Sequence, residues 1–271
     1  MKNILITGTN GFIGNNLKKS LSQYNIIEIN EDIFNHNAWY ILLKQKLSTE
    51  KPEAVFHVGA CSNTLEQDVN YMMTRNFEFT KILTDWCKEN NIPLIYSSSA
   101  ASYGTNDAYP SNLYGWSKYV AEQYVISNNG IALRYFNVYG PGEEHKGKMA
   151  SVAYQMYLKY KKGEFIKLFP KNPLRDFIYI DDVVSANLFA WENYENLKGE
   201  KYDVGSGKAE PFEYVMEILD IPFEYYSEDM IPKGYQFYTC SDEFKWMFRW
   251  KPRFTLKQGL EKYKQYLDEE T

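Results

Sequence analysis

The feature that most constrains the fold is a glycine-spaced turn near the N-terminus, Gly8-Thr9-Asn10-Gly11-Phe12-Ile13-Gly14. It follows a short apolar strand, Ile4-Leu5-Ile6, and precedes a predicted helix. In such a turn Gly8 allows a tight exit from the strand, Gly11 lets the backbone approach a pyrophosphate, and Gly14 lets the helix pack closely on the sheet. The helix N-terminus offers free N–H groups and a partial positive charge to phosphates. The pattern therefore predicts a dinucleotide-binding strand–turn–helix unit.

Downstream of this turn, short apolar runs alternate with segments of helical periodicity. The predicted strands are residues 26–29, 54–58, 93–96 and 131–136, and the predicted helices are residues 39–47, 72–88 and 113–127. Unbroken apolar runs are typical of parallel strands buried on both faces, and strands that alternate with helices indicate βαβ units. We therefore expect an α/β fold with a Rossmann-type doubly wound parallel sheet.

Past Gly140 the pattern changes to a polar loop and then to more widely spaced elements. Helices are predicted at about 150–161, 181–194, 212–219 and 256–266, with a strand at 202–204. No repeat, low-complexity tract or long linker separates this part from the first. We expect a dinucleotide-binding domain of residues 1–138 plus about 177–207. A smaller, integrated C-terminal substrate-binding lobe would comprise residues 139–176 plus about 208–271.

Composition argues against several classes of function. The chain has 271 residues and a net charge of −5, which disfavours nucleic acid or an anionic membrane surface as a partner. Its cysteines, Cys61, Cys87 and Cys240, show no C-x-x-C spacing, so no metal site is expected and a reducing compartment fits them best. The apolar stretches are too short for a signal peptide or a membrane span. We therefore expect a cytoplasmic protein.

The residues after the second strand bear on the choice between NAD and NADP. An acidic residue there binds the ribose 2′-hydroxyl of NAD, whereas a basic residue meets the 2′-phosphate of NADP. This chain has Asn30, Glu31 and Asp32, with no Lys or Arg before Lys44. The sequence favours NAD, although Asp32 could instead cap the following helix. The segment from Asn30 to Lys51 is also shorter than is usual in such folds.

A candidate proton-transfer site follows about a hundred residues after the glycine turn. Tyr114 and Lys118 are four residues apart and therefore share one face of a helix. A nearby ammonium and a cationic nicotinamide ring both favour the phenolate, which would make the tyrosine a usable base. The run Ser97-Ser98-Ser99 follows a strand predicted to end at Tyr96, at the sheet edge where ligands bind. Ser99 is a candidate to bind a substrate oxygen, whereas Ser97 and Ser98 are expected to cap or turn the chain.

Together these motifs resemble the extended short-chain dehydrogenase/reductases, a superfamily of nucleotide-sugar epimerases and dehydratases. The resemblance covers nearly the whole chain except residues 30–51. It rests on the glycine turn, on Tyr114-x-x-x-Lys118 and on residues 97–104, 134–140, 175–177 and 181–183. Within the superfamily, residues 57–62, 71–73 and 140–153 are most similar to epimerases that act at C6 of an ADP-heptose.

The resemblance implies an isomerase that oxidises one carbinol of a nucleotide-diphosphate sugar to a ketone and reduces it again from the other face. C6 of an ADP-heptose-like sugar is the favoured position. The implied catalytic residues are Tyr114, Lys118, Ser99 and Lys146, with Lys146 as the second proton-transfer group. On the sequence alone, Lys146 could equally be a solvated loop charge. NAD or NADP would contact Gly8, Asn10, Gly11, Phe12, Ile13, Gly14, Asn30, Asp32, Ala60, Asn76, Tyr114 and Lys118. The substrate would contact Ser62, Ser99, Asn137, His145, Ser151, Phe169, Arg175 and Tyr235.

Other functions stay open at this point. One is a UDP- or GDP-hexose 4-epimerase or a related nucleotide-sugar reductase, in which Tyr114 is the only base and Lys146 is idle. A 4,6-dehydratase fits less well, because such enzymes usually carry acidic residues where this chain has Ala100-Ala101. A cofactor-binding module without turnover is more distant, because degenerate members usually lose the tyrosine or the lysine. Since relatives form dimers or larger rings, a homo-oligomer is expected.

Overall fold

The structure, a computed structural model, describes residues 2–104, 109–231 and 235–270. The chain separates into two compact units. The first unit is Met1–Tyr135 with Val184–Asp203, and the second unit is Phe136–Val183 with Val204–Thr271. The segment that returns to the first unit is therefore shorter than the predicted 177–207. The functional roles assigned to the two parts stay predictions.

The elements of the chain are numbered in sequence order. Up to residue 135 they are β1 (Asn3–Thr7), α1 (Phe12–Ser20), β2 (Asn25–Ile29), α2 (Trp39–Glu50), β3 (Ala54–His57), α3 (Val69–Met73), α4 (Phe79–Asn90), β4 (Leu94–Ser99), α5 (Leu113–Ser127) and β5 (Ile131–Tyr135). Beyond it they are β6 (Asn137–Tyr139), α6 (Val152–Lys161), β7 (Ile166–Leu168), β8 (Leu174–Tyr179), α7 (Ile180–Glu192), α8 (Tyr194–Leu197), β9 (Lys201–Val204), β10 (Ala209–Pro211), α9 (Phe212–Leu219), β11 (Phe223–Tyr225), β12 (Tyr238–Thr239) and α10 (Leu256–Glu270).

A six-stranded sheet in the order β2-β1-β3-β4-β5-β9 organises the first unit. The pairs β1–β2, β1–β3, β3–β4 and β4–β5 are all parallel. The predicted Rossmann-type parallel sheet is confirmed. Strand order reverses between β1 and β3, so the ligand crevice of such a sheet lies at the carboxyl ends of these two strands. The glycine turn leaves β1 at that edge.

The core of the first unit explains why its strands read as apolar runs. Ile4, Leu5 and Ile6 are fully buried in β1, and the same holds for Ala54, Val55 and Phe56 in β3. A parallel sheet covered on both faces leaves no side of a strand for polar residues. The helix predicted for residues 72–88 is instead α3 and α4 joined by a single π-helical turn, Thr74–Glu78. Such turns insert one residue into a helix and are frequent at functional sites.

The second unit contains short strands that the sequence analysis did not predict. β8 pairs with β10, β12 and β6, and β7 pairs with β11. Most of these strands are two or three residues long, too short to show an alternating pattern. Their anchor is Asp176 of β8, a buried carboxylate that accepts hydrogen bonds from the backbone N–H groups of Ser206, Gly207 and Ser241.

The described residues contain neither a candidate membrane-spanning helix nor a candidate group of metal ligands. None of their helices is long and apolar enough to cross a bilayer. None of their His, Cys, Asp and Glu side chains form a group of three that could hold a metal ion.

Candidate active site

The glycine turn has the backbone geometry that a pyrophosphate cradle requires. Gly8 adopts φ of 71°, and a Cβ on it would lie 2.6 Å from Cα of Gly59, the second residue after β3. A Cβ on Gly14 would lie 2.1 Å from the carbonyl oxygen of Gly8. No side chain of the described residues caps the N-terminus of α1, where Gly11 is the N-cap residue, and the first turn of this helix carries no acidic residue. The glycines therefore bring the N-terminus of α1 close against the end of β1 with no acidic residue in its first turn, an arrangement that fits the phosphates of a dinucleotide.

The carboxyl ends of β1 and β3 are fixed by a buried hydrogen-bond chain through His57. Gly59 N–H donates to Thr7 Oγ1 (2.8 Å), and the Thr7 hydroxyl lies 2.8 Å from His57 Nδ1. On the other side, His57 Nε2 lies 2.7 Å from Thr80 Oγ1, which donates to the Asn76 carbonyl oxygen. These directions assign a neutral ring with its proton on Nε2. Burial lowers the pKa of His57 to about 3, so the ring stays neutral near pH 7.

The residues after β2 contribute to the turn in different ways. Asn30 Oδ1 accepts from the backbone N–H of Asn10 at 3.1 Å. The carboxylate of Glu31 accepts from Arg75 Nε at 3.2 Å. Asp32 is exposed and lies inside a 3-10 turn, Glu31–Asn35, whose N-cap is Asn30. The alternative that Asp32 caps a helix is therefore wrong. Arg75 lies 44 residues beyond Glu31 in sequence, so the local sequence around Glu31 gives no sign of this ion pair.

Tyr114, Lys118 and Ser99 come together at the carboxyl end of β4. The helix α5 begins at Leu113 as predicted, because Asn112 Oδ1 caps it by accepting from Gly115 N–H at 2.8 Å. Lys118 is 3% exposed, and its Nζ donates to the carbonyl oxygen of Ser97 at 2.7 Å. Ser99 hydrogen-bonds the Tyr114 hydroxyl. The three predicted residues therefore form one cluster.

Burial acts on the charge states of both Tyr114 and Lys118 in this cluster. Burial raises the pKa of Tyr114, and the hydrogen bond from Ser99 opposes that rise. The proposed help of the Lys118 ammonium and of a bound nicotinamide ring in ionising Tyr114 stays a prediction. Burial also lowers the pKa of Lys118 to about 7, so this amine is only partly charged at neutral pH. Burial therefore disfavours both the phenolate of Tyr114 and the ammonium of Lys118.

Two of the three serines before Ala100 do not have the predicted capping role. Ser97, Ser98 and Ser99 all belong to β4, so the strand does not end at Tyr96. Ser97 Oγ lies 2.9 Å from the Tyr135 hydroxyl, and Ser98 donates to Glu122, which also holds Arg134 in a buried bidentate ion pair. Ser99 is the residue that caps, since Ala101 N–H donates to its hydroxyl.

Asn76 connects the loop after β3 to the helix that carries Tyr114. Its side chain accepts from Cys61 N–H (2.8 Å) and donates to the Cys61 carbonyl oxygen (3.0 Å) and to Ser117 Oγ (2.9 Å). Ser117 in turn donates to the Tyr114 carbonyl oxygen. The predicted cofactor residue Asn76 thus acts within the protein as a clamp. Ala60 is half-buried and Ser62 is exposed in the same loop.

Cys61 is a neighbour of the cluster that the sequence analysis did not include. Its thiol is close enough to raise the pKa of both Tyr114 and Lys118 through its charge when ionised. Burial raises the pKa of Cys61 itself, so the thiol is neutral at pH 7. In the sequence, Cys61 is indicated only by its position between Ala60, a predicted cofactor contact, and Ser62, a predicted substrate contact.

In the second unit, the loop 140–151 contains three predicted site residues. Lys146 is half-buried and His145 is exposed. Burial lowers the pKa of Lys146, while the carboxylate of Glu143 opposes this. Ser151 is the N-cap of α6 and accepts from Tyr154 N–H at 3.3 Å. The position of Lys146 is thus unlike that of a fully solvated lysine. The structure adds Glu143, which the sequence analysis did not single out.

Three other predicted substrate residues lie together in the second unit. The Arg175 guanidinium donates to the carbonyl oxygens of Leu174 (2.9 Å) and Gln236 (2.5 Å) and lies 5.5 Å from the centre of the Tyr235 ring. Tyr235 in turn contacts Phe169 at 5.2 Å between ring centres. Within the described ranges, Arg175 takes part in none of the ion pairs, so its charge is available to an anion. Asn137 is exposed, and its side chain donates to the Asp176 carbonyl oxygen.

Comparison with known proteins gives consistent relatives. The model of the NAD dependent epimerase/dehydratase family matches residues 4–205. The ADP-L-glycero-D-manno-heptose-6-epimerase of Brachyspira hyodysenteriae is 36% identical, over 98% of this chain and 98% of that protein. The solved ADP-L-glycero-D-manno-heptose-6-epimerase of Helicobacter pylori has a TM-score of 0.85 and 26% identity, covering 98% of this chain and 96% of that one. The UDP-glucose 4-epimerase of Thermotoga maritima, solved with UDP-glucose, has the same TM-score and identity over 99% of both chains.

Proposed function

This chain belongs to the NAD-dependent epimerase/dehydratase family, and from that premise we propose that it inverts C6 of an ADP-heptose-like sugar nucleotide. The relatives also confirm the predicted enzyme class, an isomerase that acts as an epimerase on nucleotide sugars. The observation that carries the proposal is the cluster of Tyr114, Ser99 and Lys118 at the carboxyl end of β4. The 36% identical heptose epimerase supports the choice of sugar and carbon.

The cofactor would be held by the glycine turn, with Asn10 and Asn30 closing its edge. When bound, NAD or NADP supplies a hydride acceptor that can return the hydride to the same carbon. We propose NAD, because the carboxylate of Glu31 at the end of β2 would repel a 2′-phosphate. Arg75 partly neutralises that carboxylate, so the comparison of NAD and NADP affinities in Arg75→Met is the sharp test. We expect this variant to lose NADP binding further and to keep NAD binding.

Tyr114 would exchange the proton of the sugar carbinol, and Ser99 would hold the reacting oxygen. Inversion requires that the ketone is reduced from its opposite face, so a second proton-transfer group is needed for that face. We propose Lys146 for this role, because burial lowers its pKa and thereby eases release of its proton. Arg175 would bind the diphosphate, for which its planar fork is suited. The aromatic pair Phe169 and Tyr235 would line the same part of the substrate.

To test this function, NMR is used to measure the configuration of the reacting sugar carbon after incubation with the Tyr114→Phe variant. Loss of general acid–base catalysis costs about 10²- to 10⁴-fold in rate, and we expect a loss in this range with cofactor binding retained. Tyr119→Phe is the matched control, since Tyr119 lies on the same helix and its ring packs against Trp116. Full epimerase activity in Tyr114→Phe would exclude this mechanism.

A second candidate is a UDP-hexose 4-epimerase, which the equal structural similarity to the Thermotoga maritima enzyme favours. Lys146→Ala separates the two functions: a 6-epimerase of the heptose type loses inversion, whereas a 4-epimerase with Tyr114 as its only base keeps it. Thermal shifts with ADP-, GDP- and UDP-sugars identify the nucleotide independently. A ligand present at 100 times its Kd stabilises the folded state by about 2.7 kcal/mol. A homo-oligomer in the cytoplasm stays our expectation for the assembly and its location.

A further inference from the structure

One buried carboxylate closes both ends of the loop that carries Lys146. Glu143 is fully buried, and its two carboxylate oxygens accept from Gly140 N–H (3.3 Å), Ser151 N–H (2.5 Å) and Ser151 Oγ (2.7 Å). The hydroxyl of Tyr263 on α10 donates to the same carboxylate at 3.0 Å. Residues eleven apart in sequence are thus tied to one side chain, and that side chain is tied to a helix 120 residues away. The Glu143 carboxylate therefore holds the two ends of the loop 140–151 together.

Lys146 belongs to this loop and interacts with Glu143 in two ways. Its backbone N–H donates to the Glu143 carbonyl oxygen at 3.0 Å. Its amine is also close enough to Glu143 for the carboxylate to raise the pKa that burial lowers. Among the described residues, the titratable groups near this pair include Tyr154 on α6, Tyr263 on α10 and Glu144 on the loop, and burial raises the pKa of both tyrosines.

We propose that Glu143 is a positioning residue for Lys146, which fixes the loop that presents the amine and keeps a negative charge beside it. The proposal rests on the proposed function, in which Lys146 is the second proton-transfer group. Glu143 itself touches no reacting atom in this scheme.

The chemistry of the contacts supports a role beyond loop closure. Among the described residues, two backbone N–H groups and two hydroxyls donate to the Glu143 carboxylate, and these four donors are neutral. Burying a carboxylate is costly unless it is paired, and an uncharged side chain could close a loop at lower cost. Burial raises the pKa of Glu143, and the positive charge of Lys146 acts in the opposite direction. The negative charge therefore has a specific recipient.

The test separates the charge of Glu143 from its reach. Glu143→Gln removes the charge and nearly keeps the shape, whereas Glu143→Asp keeps the charge but is too short to hold both ends of the loop. Tyr266→Phe is the matched control, because Tyr266 lies on the same helix as Tyr263 and contacts Glu144 instead. The readouts are kcat for inversion and the titration of Lys146, followed by NMR of ¹³C-methylated lysines and assigned with Lys146→Arg.

We expect Lys146 to titrate at lower pH in Glu143→Gln than in the wild type, with the alkaline limb of the kcat profile shifted the same way. In Glu143→Asp the titration stays near the wild type, but kcat falls by about 10²-fold, the cost of a misplacement of about 1 Å. Tyr266→Phe should change neither readout. Because Glu143→Asp is measured independently, a failure of Glu143→Gln to fold leaves the proposal testable.

An unchanged Lys146 titration in folded Glu143→Gln would overturn the electrostatic role, and wild-type kcat in Glu143→Asp would overturn the positional one. If Lys146→Ala retains inversion, the proposed function is wrong, yet the titration still reports whether Glu143 acts on the amine. The two failures are therefore distinguishable.

Discussion

Replacing Lys118 by methionine should stabilise the protein while abolishing its activity. Lys118 is 3% exposed, and burial lowers its pKa from 10.5 to about 7. A lysine that is harder to protonate when folded makes the folded state less stable wherever the unfolded chain still binds the proton. Methionine has a similar length and flexibility and carries no charge. Activity should be lost because Lys118 is one of the proposed catalytic residues.

The size of the effect follows from the shift in pKa. With 1.36 kcal/mol for each unit, a shift from 10.5 to about 7 destabilises the wild type by about 4 kcal/mol at pH 7 and by about 2 kcal/mol at pH 9. The penalty is fully present below pH 7 and disappears as the pH rises to 10.5. Loss of the hydrogen bond to the Ser97 carbonyl oxygen offsets about 1–3 kcal/mol of the gain, independently of pH. The pH-dependent part, about 2 kcal/mol between pH 7 and pH 9, is therefore the cleaner quantity.

The assay is urea denaturation without cofactor at pH 7 and pH 9, comparing the wild type with Lys118→Met. Lys19→Met serves as the control, because Lys19 is exposed at the end of α1 and should change stability by less than about 0.5 kcal/mol at either pH. The advantage of Lys118→Met over the wild type should shrink at pH 9. An advantage that is equal at both pH values, or that grows with pH, would show that the amine is not held in a dry site.

Three further predictions concern the buried contacts. Because burial lowers the pKa of His57 from 6.5 to about 3, stability is lost as pH falls from 6.5 towards 3, by up to about 5 kcal/mol, and urea midpoints should fall less steeply with pH in His57→Phe. Gly14→Ala should abolish NAD uptake measured by fluorescence, since its Cβ would lie 2.1 Å from the Gly8 carbonyl oxygen; intact uptake would contradict the assigned packing. Asp176→Asn should lower the free energy of unfolding by about 3–5 kcal/mol, because the amide cannot accept from all the N–H and O–H donors that the carboxylate holds; a loss under 1 kcal/mol in calorimetry would refute this.

The sequence was most informative where a local rule fixes the structure. The helix that carries Tyr114 has the predicted bounds, because Asn112 caps it and a long helix presents many periodic residues. The glycine turn was likewise predictable, since a Cβ on Gly11 or Gly14 would approach the carbonyl oxygen of Gly8, only a few residues away. These two segments contain Tyr114, Lys118 and most of the predicted cofactor contacts.

The sequence was least informative where contacts are made over long separations. Glu143 depends on Tyr263, 120 residues later, and Arg75 reaches Glu31 from 44 residues away. The roles of Ser97 and Ser98 were mistaken because their partners, Tyr135 and Glu122, lie on other elements. The spacing of Tyr114 and Lys118 also does not reveal how deeply the tyrosine is buried, and burial opposes its ionisation by raising its pKa.

The π-helical turn at Thr74–Glu78 has a consequence for what the chain can lose. A π-helical turn holds about one residue more than an α-helical turn, so deleting one residue from it would restore a regular α-helix and leave α4 in phase with α3. Phe79, Leu83 and Cys87 would then still face the core, whereas the Asn76 amide would no longer reach both Cys61 and Ser117. A one-codon deletion here should therefore preserve the fold while it breaks the contacts that Asn76 makes beside the Tyr114 helix.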